Sequence, residues 1–257
     1  MFNRLKNYKD LFFVFVWREL LIRYKQTAIG VLWALIQPLS MMALFVIVFG
    51  YVLNINTKGY PRSLFYFAGL VPWTFFSSSV NASINSLIDH RDLITKIYFP
   101  RELIIFSRIS VFITDFIISA MLLAAMVFFC KTPFTLNFLW VIPLCVLLFL
   151  FTASVCLLFG TINVYYRDMR LASGFLLQVW FFSSPVFYSI DTISLKMKLF
   201  LFLNPLTYII ENFRRVLIEE RGIVLWQFAI AAGFVMALFF VSYKIFIRLE
   251  RSFADVI

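Results

Sequence analysis

Long apolar runs separated by short polar segments dominate this chain. No charged residue occurs between Lys25 and Lys58, and the run Ile29–Leu53 exceeds the about 20 residues that a helix needs to cross a hydrocarbon core. Similar runs cover about Leu64–Ile88, Leu103–Cys130, Phe138–Val164, Leu171–Ile190 and Ile223–Ile247. The pattern predicts an all-α polytopic membrane protein with about six transmembrane helices, forming a single domain over residues 1–257.

The amino-terminal segment, residues 1–28, mixes charges with aromatic residues. Leu5, Tyr8, Phe12, Phe15 and Val16 can share one face of a helix, with the charged residues on the other faces. This predicts an amphipathic helix at the cytoplasmic membrane interface, its charges toward water and anionic headgroups. A disordered basic tail is the alternative, and the many aromatic residues argue against it.

Residues 89–102 form a short segment of mixed charge between two apolar runs. Leu93, Ile94, Ile97 and Tyr98 recur at helical spacing, and Pro100 separates them from the next helix. An apolar stripe of this kind is what a short helix presents to a groove of a partner protein. An ordinary cytoplasmic loop remains open as the alternative.

Residues 191–222 contain two apolar pieces, Leu199–Leu203 and Leu206–Ile210, on either side of Asn204 and Pro205. Each piece is too short to span a membrane, and the proline prevents one continuous helix. The segment predicts a re-entrant or interfacial helical pair before the last span.

The composition agrees with the membrane assignment. The chain is 63% hydrophobic and 14% charged, against about half and a quarter in a soluble domain. The net charge of +10 comes from Lys and Arg flanking the apolar runs, which the positive-inside rule explains without nucleic acid. That rule predicts a multi-pass protein with both termini, residues 89–102 and residues 163–170 in the cytoplasm.

The sequence contains no motif for catalysis or metal binding. Neither a nucleotide-binding glycine loop nor a metalloprotease or serine-hydrolase motif occurs, and the three cysteines lack metal spacing. The one histidine, His90, is interpreted as a solvated loop residue. Arg108 and Asp115 lie within the third apolar run. Asp115 could pair with Arg108, although seven positions, about two helical turns, separate them. A structural pairing role is favoured over a proton relay, because no second acidic residue lies nearby in a span.

Six aromatic residues near the ends of spans admit two interpretations. They are Trp33, Tyr51, Trp73, Trp180, Phe187 and Tyr188. By default such rings anchor a protein at the membrane interface. Alternatively, some of them line a pathway, because the apolar C–H faces of sugar rings stack on aromatic side chains.

Four stretches together resemble the membrane subunit of ABC exporters of lipid-linked polysaccharide, the group that exports O-antigen, capsule and teichoic acid. They are RYKQTAIGVLWALIQP (23–38), DLITKIYFPRE (92–102), NVYYRDM (163–169) and NPLTYIIENFRRVL (204–217). The resemblance covers essentially the whole chain. It implies a homodimer in the bacterial inner membrane, bound to two copies of a separate nucleotide-binding protein that holds ATP and Mg. No cofactor is then expected in this chain.

The resemblance also implies roles for particular residues. In segment 89–102, Leu93, Ile94, Ile97 and Tyr98 would enter a groove of the ATPase, and the rim charges would be Asp89, Arg91, Asp92, Lys96, Arg101 and Glu102. Candidates for binding the lipid pyrophosphate are Arg23, Lys25, Arg167 and Arg170. Residues 191–222 would form external gate helices, with Asn204, Pro205, Glu211, Arg214 and Arg215 as site residues.

Two other functions remain open from the sequence. One is an ABC permease for a drug or a small lipid, which would use the same machinery on another cargo. The other is a membrane scaffold or lipid-embedded enzyme without transport, which the absence of a polar catalytic cluster makes the weakest of the three.

Overall fold

The computed structural model describes residues 8–25, 30–57, 59–130 and 136–256, and all regular structure in these ranges is helical. The α-helices are α1 Lys9–Tyr24, α2 Trp33–Phe45, α3 Arg62–Ile84, α4 Ser86–Asp89, α5 Arg91–Lys96, α6 Glu102–Phe129, α7 Val141–Tyr165, α8 Asp168–Phe182, α9 Leu195–Leu201, α10 Pro205–Leu217, α11 Leu225–Leu249 and α12 Phe253–Val256. A π-helical segment, Val46–Val52, continues α2. Short 3-10 segments are Gly30–Leu32, Leu136–Trp140, Ile190–Thr192 and Glu250–Ser252.

Four helical segments of the described chain are long and apolar enough to cross a membrane. They are Trp33–Val52, Glu102–Phe129, Leu136–Tyr165 and Leu225–Ser252. These segments confirm the first, third, fourth and sixth of the apolar runs, and with them the prediction of an all-α polytopic membrane protein.

The second run is helical but lies inside the bundle. Helix α3 packs against α2, α6, α7, α8 and α10, and most of its side chains are buried. Its 23 residues span about 35 Å at 1.5 Å per residue. Because neighbouring helices cover it, α3 can carry Ser77, Ser79 and Ser83 without exposing them to lipid, and its mean hydropathy is lower for that reason.

The fifth run, predicted over Leu171–Ile190, is helical only in its first part. Helix α8 ends at Phe182, three residues before Pro185, and a turn follows. The proline ends the helix because it lacks an amide donor and restricts the residue before it. Helix α8 is therefore 15 residues long, shorter than the prediction.

The core lies where α3, α6 and α7 meet. Phe76 and Phe151 stack with ring centroids 5.3 Å apart, and both are fully buried. Gly160 of α7 allows the close approach, since an added Cβ would lie 3.2 Å from Ile105 Cδ1 and 3.4 Å from the carbonyl oxygen of Ser83.

Helix α1 is ordered over Lys9–Tyr24 and packs along α6. Phe15 is buried, 5.7 Å from the ring of Phe99. The expectation that the charges of this segment face water is wrong in part, because Glu19 is buried and Arg23 forms an ion pair. Residues 1–7 and 26–29 lie outside the described residues, so the predicted helix over 1–28 is tested only between these ends.

Candidate functional site

In the predicted coupling segment, residues 89–102, helix α5 ends at Lys96. Ile97 has φ −133° and ψ 136°, an extended conformation. Its side chain is 59% exposed, and that of Tyr98 is 83% exposed. These two side chains project from the fold, beside the exposed Asp89, Arg91, Asp92 and Lys96.

The rest of the predicted stripe faces inward, so the four apolar residues do not form one exposed helical face. Ile94 is only 3% exposed and belongs to the core, and Leu93 is half-buried against it. The helix ends before Ile97, which rotates the later residues away from the earlier ones. Ile94 therefore supports the segment instead of presenting an apolar group to a partner.

The carboxyl end of the segment is tied to the end of the chain. Glu102 is buried and accepts a hydrogen bond from the hydroxyl of Tyr243 at 3.3 Å. The guanidinium of Arg101 lies 5.9 Å from the ring centroid of Phe253, and α12 packs against α5. Arg101 and Glu102 thus anchor the segment, whereas the sequence placed them among the rim charges.

An ion cluster with buried Glu19 and His90 joins α1 to the start of this segment. Arg108 Nη1 lies 2.9 Å from Glu19 Oε2, and Arg108 Nη2 lies 3.1 Å from Asp89 Oδ2. His90 Nε2 lies 3.5 Å from Glu19 Oε1. His90 Nδ1 donates to the carbonyl oxygen of Ser86 at 2.8 Å. The interpretation of His90 as a solvated loop residue is wrong, because its side chain is buried in this cluster.

Asp115 pairs with α1. Arg23 Nη2 donates to Asp115 Oδ2 at 2.5 Å, and the hydroxyl of Tyr24 donates to Asp115 Oδ1. The Arg23 guanidinium also lies 4.4 Å from the ring centroid of Phe112. A structural ion pair was the favoured role for Asp115, but its partner is Arg23, and Arg108 pairs with Glu19 and Asp89 instead.

The four candidate cations for lipid phosphate lie on two separate elements. Arg23 and Lys25 are at the end of α1, where Lys25 is exposed. Arg167 and Arg170 are exposed at the start of α8. Only Arg23 of the four has a carboxylate partner among the described ion pairs.

The predicted aromatic residues divide into a connected row and isolated rings. Trp73 contacts Phe181 at 5.2 Å between centroids, Phe181 contacts Phe187 at 5.6 Å, and Phe187 contacts Tyr188 at 5.0 Å. Phe49 stacks on Phe187 at 4.5 Å. We call these five residues the aromatic row. It runs from α3 past the end of α8.

The other three predicted aromatic residues lie outside the row. Trp33 and Tyr51 are exposed on the helical segment Trp33–Val52, with Arg62 placed 4.8 Å from the Tyr51 ring centroid. Trp180 packs between Phe76 and Phe151, at 5.0 and 5.8 Å. Trp180 therefore contributes to the core and to the contact with α10.

Asn204 and Pro205 begin α10, as their sequence suggests. Asn204 Oδ1 accepts from the backbone amide of Leu206 at 3.1 Å and from Trp180 Nε1 at 3.0 Å. Its amide nitrogen donates to Ser184 Oγ at 2.9 Å. The pieces α9 and α10 are 7 and 13 residues long, which confirms that neither spans a membrane.

Arg214 fixes α10 to the turn after α8. It is fully enclosed, and its guanidinium donates to the carbonyl oxygens of Phe65 at 3.2 Å, Pro185 at 2.6 Å and Tyr188 at 3.1 Å, and also to that of Val186. Burial lowers the pKa of Arg214 to about 10, so the guanidinium stays charged at neutral pH. Arg214 therefore joins the turn after α8 to α3, because its guanidinium binds backbone carbonyl oxygens of both.

The two other predicted gate residues lie close to Arg214 along α10. The charge of Glu211 acts on Arg214 and raises its pKa, which opposes the effect of burial. Arg215 Nε donates to the carbonyl oxygen of Gly222 at 2.8 Å. Arg215 thereby ties α10 to the turn before α11.

Glu19, Phe49 and Phe181 were missed from the sequence. Glu19 lies four residues after Phe15 and four before Arg23 and shares their face of α1, which is the signal that could have revealed it. Phe49 and Phe181 carried no signal beyond their place in apolar runs. Among the described residues, no group of His, Cys, Asp and Glu is arranged to hold a metal ion.

Comparison with known proteins decides the family. The profile of the ABC-2 type transporter family matches residues 10–218. The chain belongs to the ABC-2 type transporter family. The match to this ABC-2 family begins in α1 and ends just after α10, so it includes the coupling segment and the predicted gate pair.

Named relatives match over most of the chain. The chain is 32% identical over 223 residues to the O-antigen export system permease protein RfbA of Myxococcus xanthus, covering 85% of this chain and 84% of that protein. It is 27% identical over 252 residues to RfbA of Klebsiella pneumoniae, covering 96% and 95%. The polysialic acid transport protein KpsM of Escherichia coli is 24% identical over 197 residues, covering 76% of each.

Proposed function

We propose that this chain is the membrane-spanning permease subunit of an ATP-driven exporter that carries O-antigen or a related polysaccharide on an undecaprenyl-type lipid. The observation that carries the proposal is the end-to-end similarity to permeases of O-antigen export. In this proposal the chain is no enzyme, and ATP with Mg is bound by a separate subunit. The protein resides in the inner membrane with both termini in the cytoplasm.

The coupling role rests on the tip formed by Ile97 and Tyr98. These are two adjacent exposed apolar side chains on a segment that α1, α6 and α12 hold rigidly. The side chains of Ile97 and Tyr98 would enter an apolar groove of an ATPase. The nearby charges of Arg91, Asp92 and Lys96 would fix the orientation of the segment in that groove. Motion of the ATPase would then move α1 and α6 together, because the ion cluster ties them to the segment.

The pathway role rests on the aromatic row. Its rings lead from α3, inside the bundle, to the turn that follows α8, where α10 is anchored through Asn204 and Arg214. A glycan could slide along stacked rings without forming strong bonds at any one place. The residues 191–222 would close the outer end of this route.

The proposal of a homodimer is based on an apolar face that the helices of the chain itself do not cover. Helices α2 and α8 meet at Phe45 and Phe181, whose ring centroids are 5.9 Å apart, and both expose large apolar side chains such as Leu44, Phe175 and Val179. A second copy of the chain placed there would enclose a channel between two aromatic rows. Lys25, Arg167 and Arg170 would lie at its cytoplasmic entrance and attract the lipid phosphate.

A gene deletion tests the function directly. Cells without this chain are expected to lose surface polysaccharide and to accumulate the lipid-linked glycan inside, and a plasmid copy should restore export. Normal surface polysaccharide in the deletion strain would favour a permease for a drug or small lipid. ATP-independent activity of the purified chain would favour an enzyme.

A further inference from the structure

A cavity of about 240 Å³ with both polar and apolar lining lies between α2, α3, α6 and α8 and beside the end of α1. Its polar lining consists of Arg23, Gln37, Thr74, Ser77, Ser78, Asp115 and Ser119. Its aromatic lining includes Trp73 and Phe181. The volume is smaller than that of a drug-sized ligand site, and it is of the order that a single sugar ring needs.

The cavity lies within the membrane-spanning part of the fold. Asp115 is near the middle of α6 (Glu102–Phe129), and Thr74 and Ser78 are in the middle of α3 (Arg62–Ile84). Polar and ionisable groups at that depth are costly, and they mark ion or substrate pathways in membrane proteins. Hydroxyl, amide and charged groups at this depth are therefore suited to contacts with a polar occupant.

The charge state of the lining favours a neutral occupant over an anion. Arg23 is already paired with Asp115, so an anionic group would have to displace that carboxylate. A polyhydroxylated ring needs no such exchange. Its hydroxyls can donate to Asp115 and accept from Ser77, Ser78 or Gln37 while the ion pair stays closed.

The aromatic side of the cavity supplies the second half of a sugar site. Trp73, whose indole is the largest aromatic side chain, lines the same cavity as the hydroxyl groups. Trp73 and Phe181 are also the first two members of the aromatic row. The cavity is therefore continuous with the route proposed for the glycan and lies at its inner end.

We infer that this cavity is a subsite for one neutral sugar ring of the exported glycan. The ring stacks on Trp73, and Asp115, Ser77 and Ser78 bind its hydroxyls. The inference rests on the proposed function, since it names the part of the cargo that the cavity receives. In this proposal the sugar ring and the lipid phosphate bind at different places. The phosphate binds at the exposed cations Lys25, Arg167 and Arg170.

Cysteine protection tests the subsite. A Ser78→Cys variant is assembled with its ATPase in lipid nanodiscs and treated with a small methanethiosulfonate reagent, and modification is read by mass spectrometry on the peptide carrying residue 78. Two probes are compared: the lipid-linked glycan that accumulates in the deletion strain, and undecaprenyl diphosphate without sugar. We expect the glycan probe to slow modification at least fivefold and the sugar-free lipid to leave the rate unchanged.

Two outcomes would overturn the subsite. Equal protection by both probes would place the phosphate in the cavity, and protection by neither would leave it without a ligand. Wild-type complex in the same nanodiscs is assayed for ATP turnover stimulated by the glycan probe. Stimulation without protection rejects the subsite alone, whereas no stimulation rejects the proposed function as well.

Filling the cavity gives a second, independent test in cells. Ser78→Leu places a branched apolar side chain among the polar groups, and we expect at least a tenfold loss of surface polysaccharide. The control is Ala237→Leu, because Ala237 is exposed on α11 and lines neither the cavity nor the α2–α8 face. Immunoblotting of membranes checks that both variants accumulate, and co-purification checks that both bind the ATPase. Full export by Ser78→Leu at normal protein level would contradict the inference.

Discussion

At the scale of single residues, two arginines stabilise the interior through different kinds of partner. Arg23 balances the carboxylate of Asp115, so neither charge is left alone in a partly buried place. Arg214 has carbonyl oxygens around it on α3 and on the turn after α8. The first arrangement neutralises charge, and the second uses a charged donor to bind buried backbone carbonyl groups.

A charge exchange tests the Arg23–Asp115 pair. Arg23→Asp alone should place two carboxylates together and lower the thermal stability of the purified protein by several degrees. The double variant Arg23→Asp with Asp115→Arg should recover at least half of that loss, since coupling within a close ion pair is often about 1 kcal/mol or more. The measurement is the unfolding temperature in detergent. Equal instability of the single and double variants would show that the two side chains do not interact.

Gly69 tests the packing around Arg214. A Cβ at this position would lie 2.5 Å from Arg214 Nη2 and 2.6 Å from the carbonyl oxygen of Val186. Gly69→Ala should therefore destabilise the protein by about 1–3 kcal/mol, as overpacking does. Gly174→Ala on α8 is the control, because nothing lies within 4 Å of its added Cβ and alanine favours helix. A Gly69→Ala protein as stable as the control would refute the close contact.

The residue scale is also where the sequence was least informative. Asp115 stands out as an ionisable group in an apolar run, but its partner is 92 positions away and depends on how α1 docks. His90 and Ile94 carry no local sign of burial, since only the packing of α1 and α12 encloses them. Long-range pairing of this kind has no counterpart in a local pattern of hydrophobic and polar residues.

At the scale of elements, the segment 89–102 has a rigid base and an exposed tip. Ile94, Arg101 and Glu102 hold the base, and the chain leaves its helix at Ile97. The sequence predicted four apolar residues on one helical face, but only Leu93 and Ile94 belong to the helix, which ends at Lys96. It could not identify where the helix ends, because β-branched Ile97 is tolerated equally in extended structure.

Acidic substitutions at the tip test coupling to the ATPase. Ile97→Asp and Tyr98→Asp should each lower glycan-stimulated ATP turnover at least tenfold, because a charge would enter an apolar groove. Tyr166→Asp is the control, since Tyr166 is equally exposed but lies on the α7–α8 junction. Turnover is measured on the reconstituted complex at matched protein levels. Normal turnover in both tip variants would reject the docking role.

At the scale of the whole molecule, the bundle is built around α3, and its α2–α8 side stays apolar and open. Hydropathy alone reveals the four lipid-facing spans because their outer surfaces must be apolar. Hydropathy identifies α3 less clearly, because a helix that other helices surround can carry polar side chains without exposing them to lipid. A protomer of a symmetric dimer needs a surface that its own helices leave uncovered. The apolar α2–α8 side is such a surface, whereas α3 is enclosed.

Crosslinking tests that dimer. Phe175→Cys on the exposed side of α8 should form a disulfide between two copies of the chain under mild oxidation, in a background in which the exposed Cys130 is replaced by serine. Met236→Cys, exposed on α11, should stay monomeric. Non-reducing gel electrophoresis of intact membranes measures both. Dimers formed by Met236→Cys but not by Phe175→Cys would place the interface on the other side.

The most direct test of the account is ATP-driven translocation by the reconstituted complex. Vesicles are made with this chain, its ATPase and the lipid-linked glycan on the face that carries the ATPase, and a lectin outside detects glycan that reaches the opposite face. We expect glycan to appear only with ATP and Mg and only when both proteins are present. Glycan crossing without ATP, or with this chain alone, would contradict the claim that a separate ATPase drives this permease.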